Sequence, residues 1–67
     1  MPTLTLEIVQ TSPGCRRYRL LDATGAWLWQ NRVEASARGD AGARARLAAW
    51  AARHGYRVVE SRQKRRA

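Results

Sequence analysis

The sequence predicts a small α+β domain of order β-β-β-α-β: an antiparallel sheet of three to four strands with one helix packed on one face. Three observations predict it. Apolar and polar residues alternate in two successive segments, and a third, apolar segment follows a tight hairpin signal before residue 34, the pattern of paired, half-buried strands. A single alanine-rich stretch then repeats its larger apolar residues at helical spacing. The chain is 67 residues long, enough for one domain and not for two. One sheet covered by one helix is the smallest arrangement that buries both apolar surfaces.

Each element follows from local chemistry. Leu4, Leu6 and Ile8 alternate with Thr5, Glu7 and Val9, which predicts a first strand over Thr3 to Val9. Ser12-Pro13-Gly14-Cys15 is a turn, because Pro presets one backbone angle and Gly permits a positive one. A second strand follows over Arg17 to Leu21, with Tyr18 and Leu20 on one side. Asp22-Ala23-Thr24-Gly25 is a hairpin loop, and Ala26 to Val33 is the third strand. Pairing Leu21 with Ala26 sets Leu20 against Trp27 and Tyr18 against Trp29. Arg17, Arg19, Leu28, Gln30 and Arg32 then share the opposite surface. A slip of one residue would exchange the two faces.

Glu34 to Gly39 reads as a loop and Asp40 as a helix N-cap, a short acidic side chain before a run of helix formers. The helix runs to His54, with Gly55 as the residue that closes it. Ala43, Leu47, Trp50, Ala51 and His54 make its apolar stripe, flanked by Arg46 and Arg53 on one side and Arg44 on the other. Tyr56 to Glu60 is a short fourth strand whose place in the sheet no local pattern sets. The expected core is Leu4, Leu6, Ile8, Tyr18, Leu20, Trp27, Trp29, Leu47, Trp50 and Val58. Residues 1–61 are read as the single domain and residues 62–67 as a basic, disordered tail.

Thirteen basic residues face five acidic ones, a net charge of +8, and all but Lys64 of the basic residues are arginine. This excess exceeds what solubility needs and attracts polyanions. The expected partner is a nucleic acid or an acidic protein surface. No apolar run approaches the ~20 residues of a membrane span, and Met1-Pro2-Thr3 does not open a secretory signal. With one cysteine there is no internal disulfide, and the expected compartment is the cytoplasm. A membrane-surface role fits poorly, since the helix offers alanines rather than bulky apolar residues on its outer face.

Catalytic chemistry is hard to place. His54 lies near the helix end, where a histidine more often packs or caps than acts as a base. Cys15 sits in a turn beside Arg16 and Arg17 without a second group to complete a nucleophilic set. No Cys/His spacing suits zinc, no glycine pattern makes a phosphate loop, and the five carboxylates show no paired spacing. The expectation is a protein that is not an enzyme and takes no cofactor or metal. Arg38-Gly39-Asp40 spells an adhesion tripeptide, but a loop Arg, a flexible Gly and an N-cap Asp account for it.

The basic residues are the candidate site. Arg16, Arg17, Arg19, Arg32 and Arg57, with Arg62, Lys64, Arg65 and Arg66 of the tail, are the predicted nucleic-acid contacts. Guanidinium forks suit phosphate oxygens. Outward-facing Trp27 and Trp29 would add a stacking platform for single-stranded bases. The expectation favours both in the core, because so short a chain needs large side chains there. Ala41, Ala45, Ala48, Ala49 and Ala52 form a smooth helix face, which serves helix propensity or a contact with a partner or second copy.

The segment Tyr18-Arg19-Leu20-Leu21-Asp22, Gly25 and the stretch from Asp40 to Trp50 are similar in layout to the arm-type DNA-binding domains of tyrosine recombinases. That likeness implies a three-stranded sheet entering a major groove. The leading Leu4 to Val9 strand and the closing strand near Val58 depart from it, and no site residue is carried over. The leading functional expectation is a basic nucleic-acid-binding module. The alternative, from another class, is a small inhibitor of phage or mobile-element type that binds an acidic surface of a host nucleoprotein machine, for example a CRISPR effector.

Overall fold

Leu4, Leu6 and Ile8 put the strongest apolar alternation of the chain into a strand that lies inside the sheet rather than at its edge. The computed structural model describes residues 2–61. It contains β1 (Thr3–Ser12), β2 (Cys15–Leu21), β3 (Trp27–Glu34), α1 (Ala37–His54) and β4 (Arg57–Glu60), with sheet order β3-β2-β1-β4. The order β-β-β-α-β is the expected one. Arg62, Lys64, Arg65 and Arg66 lie outside the described residues.

Two hairpins join β1, β2 and β3 in antiparallel pairs. The β1–β2 loop is only Pro13-Gly14, and Gly14 does not take the positive φ expected of it. A two-residue loop without positive φ has the wrong twist for its strands. The pairing irregularity between Gln10 and Ser12 takes up that mismatch. In the second loop Asp22 organises the turn. Its Oδ1 accepts from the Thr24 hydroxyl, the Thr24 N–H and the Ala26 N–H, while Gly25 sits at φ 92°. The Thr24 hydroxyl above all holds the Asp22 carboxyl below its ordinary pKa.

The β2–β3 register differs from the expected one. Leu21 pairs with Trp27, and a bulge between Leu20 and Leu21 then sets Leu20 opposite Trp29, Tyr18 opposite Asn31 and Arg17 opposite Arg32. The total shift is two residues, so Trp29 and Val33 keep the helix-facing side. Trp27, expected in the core, is instead 50% exposed. The sequence pattern could not show this, because the extra bulge residue changes the phase of alternation for Trp27 alone.

The helix begins four residues earlier than expected. Ser36, not Asp40, is the N-cap, and its Oγ accepts from the Gly39 N–H at 3.0 Å. Asp40 lies in the first turn, where it is the partner of Tyr18 and Arg44. The predicted loop from Glu34 to Gly39 shrinks to Ala35-Ser36. Gly39 makes that short connection fit: a Cβ there would lie 2.1 Å from the Glu34 carbonyl oxygen. At the other end Gly55 takes φ 77°, and the Tyr56 and Gly55 N–H groups donate to the Ala51 and Ala52 carbonyls. These are the paired bonds of a Schellman closure.

Both β1 and β3 run antiparallel to β2, so they are parallel to each other. An 18-residue helix returns the chain about 27 Å, back to the end of the sheet where β3 began. The next strand therefore runs with β1, and β4 pairs parallel to it, Leu4 with Val58 and Leu6 with Glu60. The sheet is mixed, with β4 the one parallel addition. Leu4, Leu6, Tyr18, Leu20, Ala43 and Leu47 are buried together, with Ile8, Trp29, Val33, Trp50, Tyr56 and Val58 packed around them. Trp50 stacks between Tyr56 (5.7 Å between rings) and His54 (4.4 Å).

Candidate functional site

The helix covers one side of the sheet, and the register defines what the other side presents. Four cross-strand rows follow from it. Arg57 lies beside Thr3. The next row runs Val59, Thr5, Leu21, Trp27. Then come Glu7, Arg19 and Gln30, followed by Val9, Arg17 and Arg32. Neighbours within a row are about 4.8 Å apart and successive rows about 7 Å apart. The expected shared surface of Arg17, Arg19 and Arg32 is therefore present, and Arg57 joins it at the β4 edge.

The arginines on this side are not equivalent. Arg19 donates from Nε and Nη2 to Glu7 Oε1, at 2.9 and 2.6 Å, so its charge is already matched. Arg17 and Arg32 face each other across the β2–β3 ladder without a carboxylate, and the buried Arg17 Nε has no hydrogen-bond partner among the described residues. Arg16, expected beside them in a turn, lies within β2 on the helix side. It is close enough to Tyr18 and Asp40 to act on both electrostatically. Arg16 and Arg17 alternate to opposite sides of the strand because both now belong to it.

The residues under the helix form a closed polar group. The Tyr18 hydroxyl donates to Asp40 Oδ1 at 2.5 Å, Arg44 Nε donates to Asp40 Oδ2 at 2.9 Å, and Arg44 reaches Glu60 at 3.1 and 3.2 Å. The Tyr18 bond, then Arg44, lowers the Asp40 pKa. Burial, then the Asp40 bond, raises that of Tyr18. Glu60 and then Asp40 hold Arg44 further into its charged form. These groups satisfy one another, from the buried Tyr18 out to the exposed Arg44–Glu60 pair.

Two residues that sequence reasoning missed complete the basic surface. A groove of about 580 Å³ runs between the outer edge of β3 and the first half of α1, lined by Asn31, Arg32, Val33, Glu34, Arg38, Gly39, Gly42 and Arg46. Arg38, Gly42 and Arg46 are one turn apart on a single helix flank, and Arg53 falls on the same flank two turns further on. Starting the helix at Asp40 left Arg38 in a loop and hid this spacing. Among the described residues Arg32, Arg38, Arg46 and Arg53 take part in no ion pair.

The remaining candidates resolve simply. Cys15 opens β2, partly buried, across from Glu34 and Ser12. His54 is exposed, and its Nδ1 lies 2.9 Å from the Trp50 carbonyl oxygen, a C-terminal capping contact. Arg38-Gly39-Asp40 lies within the helix, with Gly39 pressed on Glu34 and Asp40 engaged by Tyr18. Ala41, Ala45, Ala48, Ala49 and Ala52 are all exposed on the outer helix face. Among the described residues no His/Cys/Asp/Glu group is arranged to hold a metal ion, and no helix is long and apolar enough to cross a membrane. No protein-family model matches the chain, nor does any curated protein or solved structure.

Proposed function

We propose that this chain is a small, non-enzymatic nucleic-acid-binding module of the cytoplasm that holds its ligand through arginine–phosphate contacts centred on β3. The observation that carries the reading is the gathering of Arg17, Arg32, Arg38 and Arg46 around one edge strand, none of them in an ion pair among the described residues. Like charges collected in this way raise one another's energy, and a phosphate backbone is the ligand that reverses the sign. Four of the five carboxylates are engaged elsewhere, Glu7 with Arg19, Asp22 in its turn, Asp40 and Glu60 with Arg44; the fifth, Glu34, lines the groove itself and leaves three arginines there against one carboxylate. Arg57 lies on the same open side in this reading, and Arg62, Lys64, Arg65 and Arg66, outside the described residues, are further candidate contacts.

Titration of the purified chain against labelled single-stranded DNA, duplex DNA and duplex RNA at about 50 and 200 mM salt tests it, because phosphate binding releases counterions. With about five phosphates neutralised on a duplex, log K falls with log salt at a slope near −4.5. Arg17→Ala with Arg32→Ala should weaken binding and flatten that slope by about 1.8, while Arg19→Ala, removing an already paired charge, changes it less. A slope untouched by the double variant would overturn the assignment. Weak binding that disappears at the higher salt would point instead to an acidic protein surface.

A further inference from the structure

We infer that the ligand is single-stranded, with a base stacked on Trp27; this rests on the nucleic-acid reading above and narrows it. Among the described residues three large apolar side chains are exposed: Trp27 at 50%, Val59 at 46% and Leu28 at 39%. All three lie at the same end of the sheet. Trp27, Leu21, Thr5 and Val59 form one row across all four strands, a band about 14 Å long at the usual strand spacing. Arg57, beside Thr3, borders it on one side; in the other direction comes the row in which Glu7 matches Arg19, and beyond that the Arg17–Arg32 row without a carboxylate.

A band of apolar and aromatic surface with Arg57 on one side and the unmatched Arg17 and Arg32 two rows away on the other matches a strand whose bases are free. Bases stack on an indole whatever their identity, while the phosphates meet the arginines. A duplex keeps its bases stacked inside and would leave Trp27 in water. The bulge between Leu20 and Leu21 is the device that produces the arrangement. Continued without it, the register would carry Trp27 to the same side as Trp29, under the helix. Bulges at sheet edges re-aim single side chains in this way. An acidic protein partner would use the arginines but has no particular need of an indole.

The test measures the affinity of the full chain and of Trp27→Ala and Trp27→Phe for three probes: a mixed-sequence single-stranded DNA oligomer, the same sequence as a blunt duplex, and inorganic polyphosphate. Circular dichroism checks each variant's fold, which a half-exposed side chain leaves intact. The single strand should bind most tightly. Trp27→Ala should weaken it about tenfold to a hundredfold, the range seen when one stacking aromatic is truncated. Trp27→Phe should retain most of the affinity, and polyphosphate binding should not change. A duplex bound as tightly as the single strand, with no effect of Trp27, would overturn the inference while leaving the proposed function standing. Equal losses on all three probes would overturn it too, assigning Trp27 a role in the fold. Saturable binding to none of the probes would overturn both readings.

Discussion

The two sides of this sheet are made from the same alternating strands and are finished in opposite ways. On the helix side Tyr18, Asp40, Arg44 and Glu60 form one connected set, with Arg16 acting on Tyr18 and Asp40 electrostatically. On the open side Glu7 matches Arg19, but Arg17 and Arg32 face each other without a carboxylate; around the β3 edge Arg32, Arg38 and Arg46 take part in no ion pair among the described residues, and Trp27 is half exposed. The covered side is the one that folding satisfies. The open side is left with exposed charge and apolar area, and the functional proposal rests on that difference.

Exchanging matched residues between the two sides should break the comparison most visibly. Leu20 is fully buried and Leu28 is 39% exposed. Leu20→Ala should destabilise the fold by about 2–5 kcal/mol in denaturant unfolding, the range for large-to-small core changes. Leu28→Ala should stay within about 1 kcal/mol, since an exposed side chain leaves no cavity. Similar effects at the two positions would mean that Leu28 is covered in solution.

The helix itself offers the next comparison, between two glycines. At Gly39 a Cβ would meet the Glu34 carbonyl oxygen at 2.1 Å, whereas at Gly42 the nearest such neighbour is an Arg46 guanidinium nitrogen at 3.9 Å. Gly39→Ala should destabilise by about 3 kcal/mol, because backbone at both ends of the clash must move. Gly42→Ala should stabilise by up to about 1 kcal/mol through helix propensity. Opposite signs in thermal unfolding would confirm that the tight β3–α1 connection depends on Gly39.

The smallest effect concerns the bond that joins helix to sheet. Tyr18→Phe removes the hydroxyl that donates to Asp40, a loss of about 2 kcal/mol for a hydrogen bond to a charged group. Its pH dependence can be assigned at both ends. The Asp40 pKa is lowered by that bond and then by Arg44. Its contribution is thus present above the unfolded carboxyl value and lost as pH falls through the folded one. The Tyr18 pKa is raised by burial and then by Asp40, so its contribution is present below the unfolded phenol value and lost as pH rises through the folded one. Stability profiles should show Tyr18→Phe losing the alkaline component and Asp40→Asn the acidic one. Retention of both components in both variants would place the coupling elsewhere.

Element types and their order were legible in the sequence because they rest on local periodicity. Alternation marked β1 and β2, the Asp22–Gly25 turn and the apolar residues after it marked β3, helical spacing marked α1 through Leu47 and Trp50, and Gly55 marked its end. Charge placement was partly legible, since Arg17, Arg19 and Arg32 share a side under any register that keeps the same parity. The helix start was not legible, because Ser36 and Asp40 are both good cap residues. The choice between them depends on Asp40 finding Tyr18 and Arg44, and Arg38 was missed with it.

The sequence by itself determined that this is a basic α+β domain with one helix, since composition and period survive any arrangement of the parts. Only the tertiary structure decided which arginines are neutralised, where β4 inserts and which tryptophan faces water. Those depend on pairs distant in the chain: Glu7 with Arg19, Leu4 with Val58, and Leu21 with Trp27 across a bulge. A bulge of one residue leaves no mark in the alternation until a partner strand is present to count against.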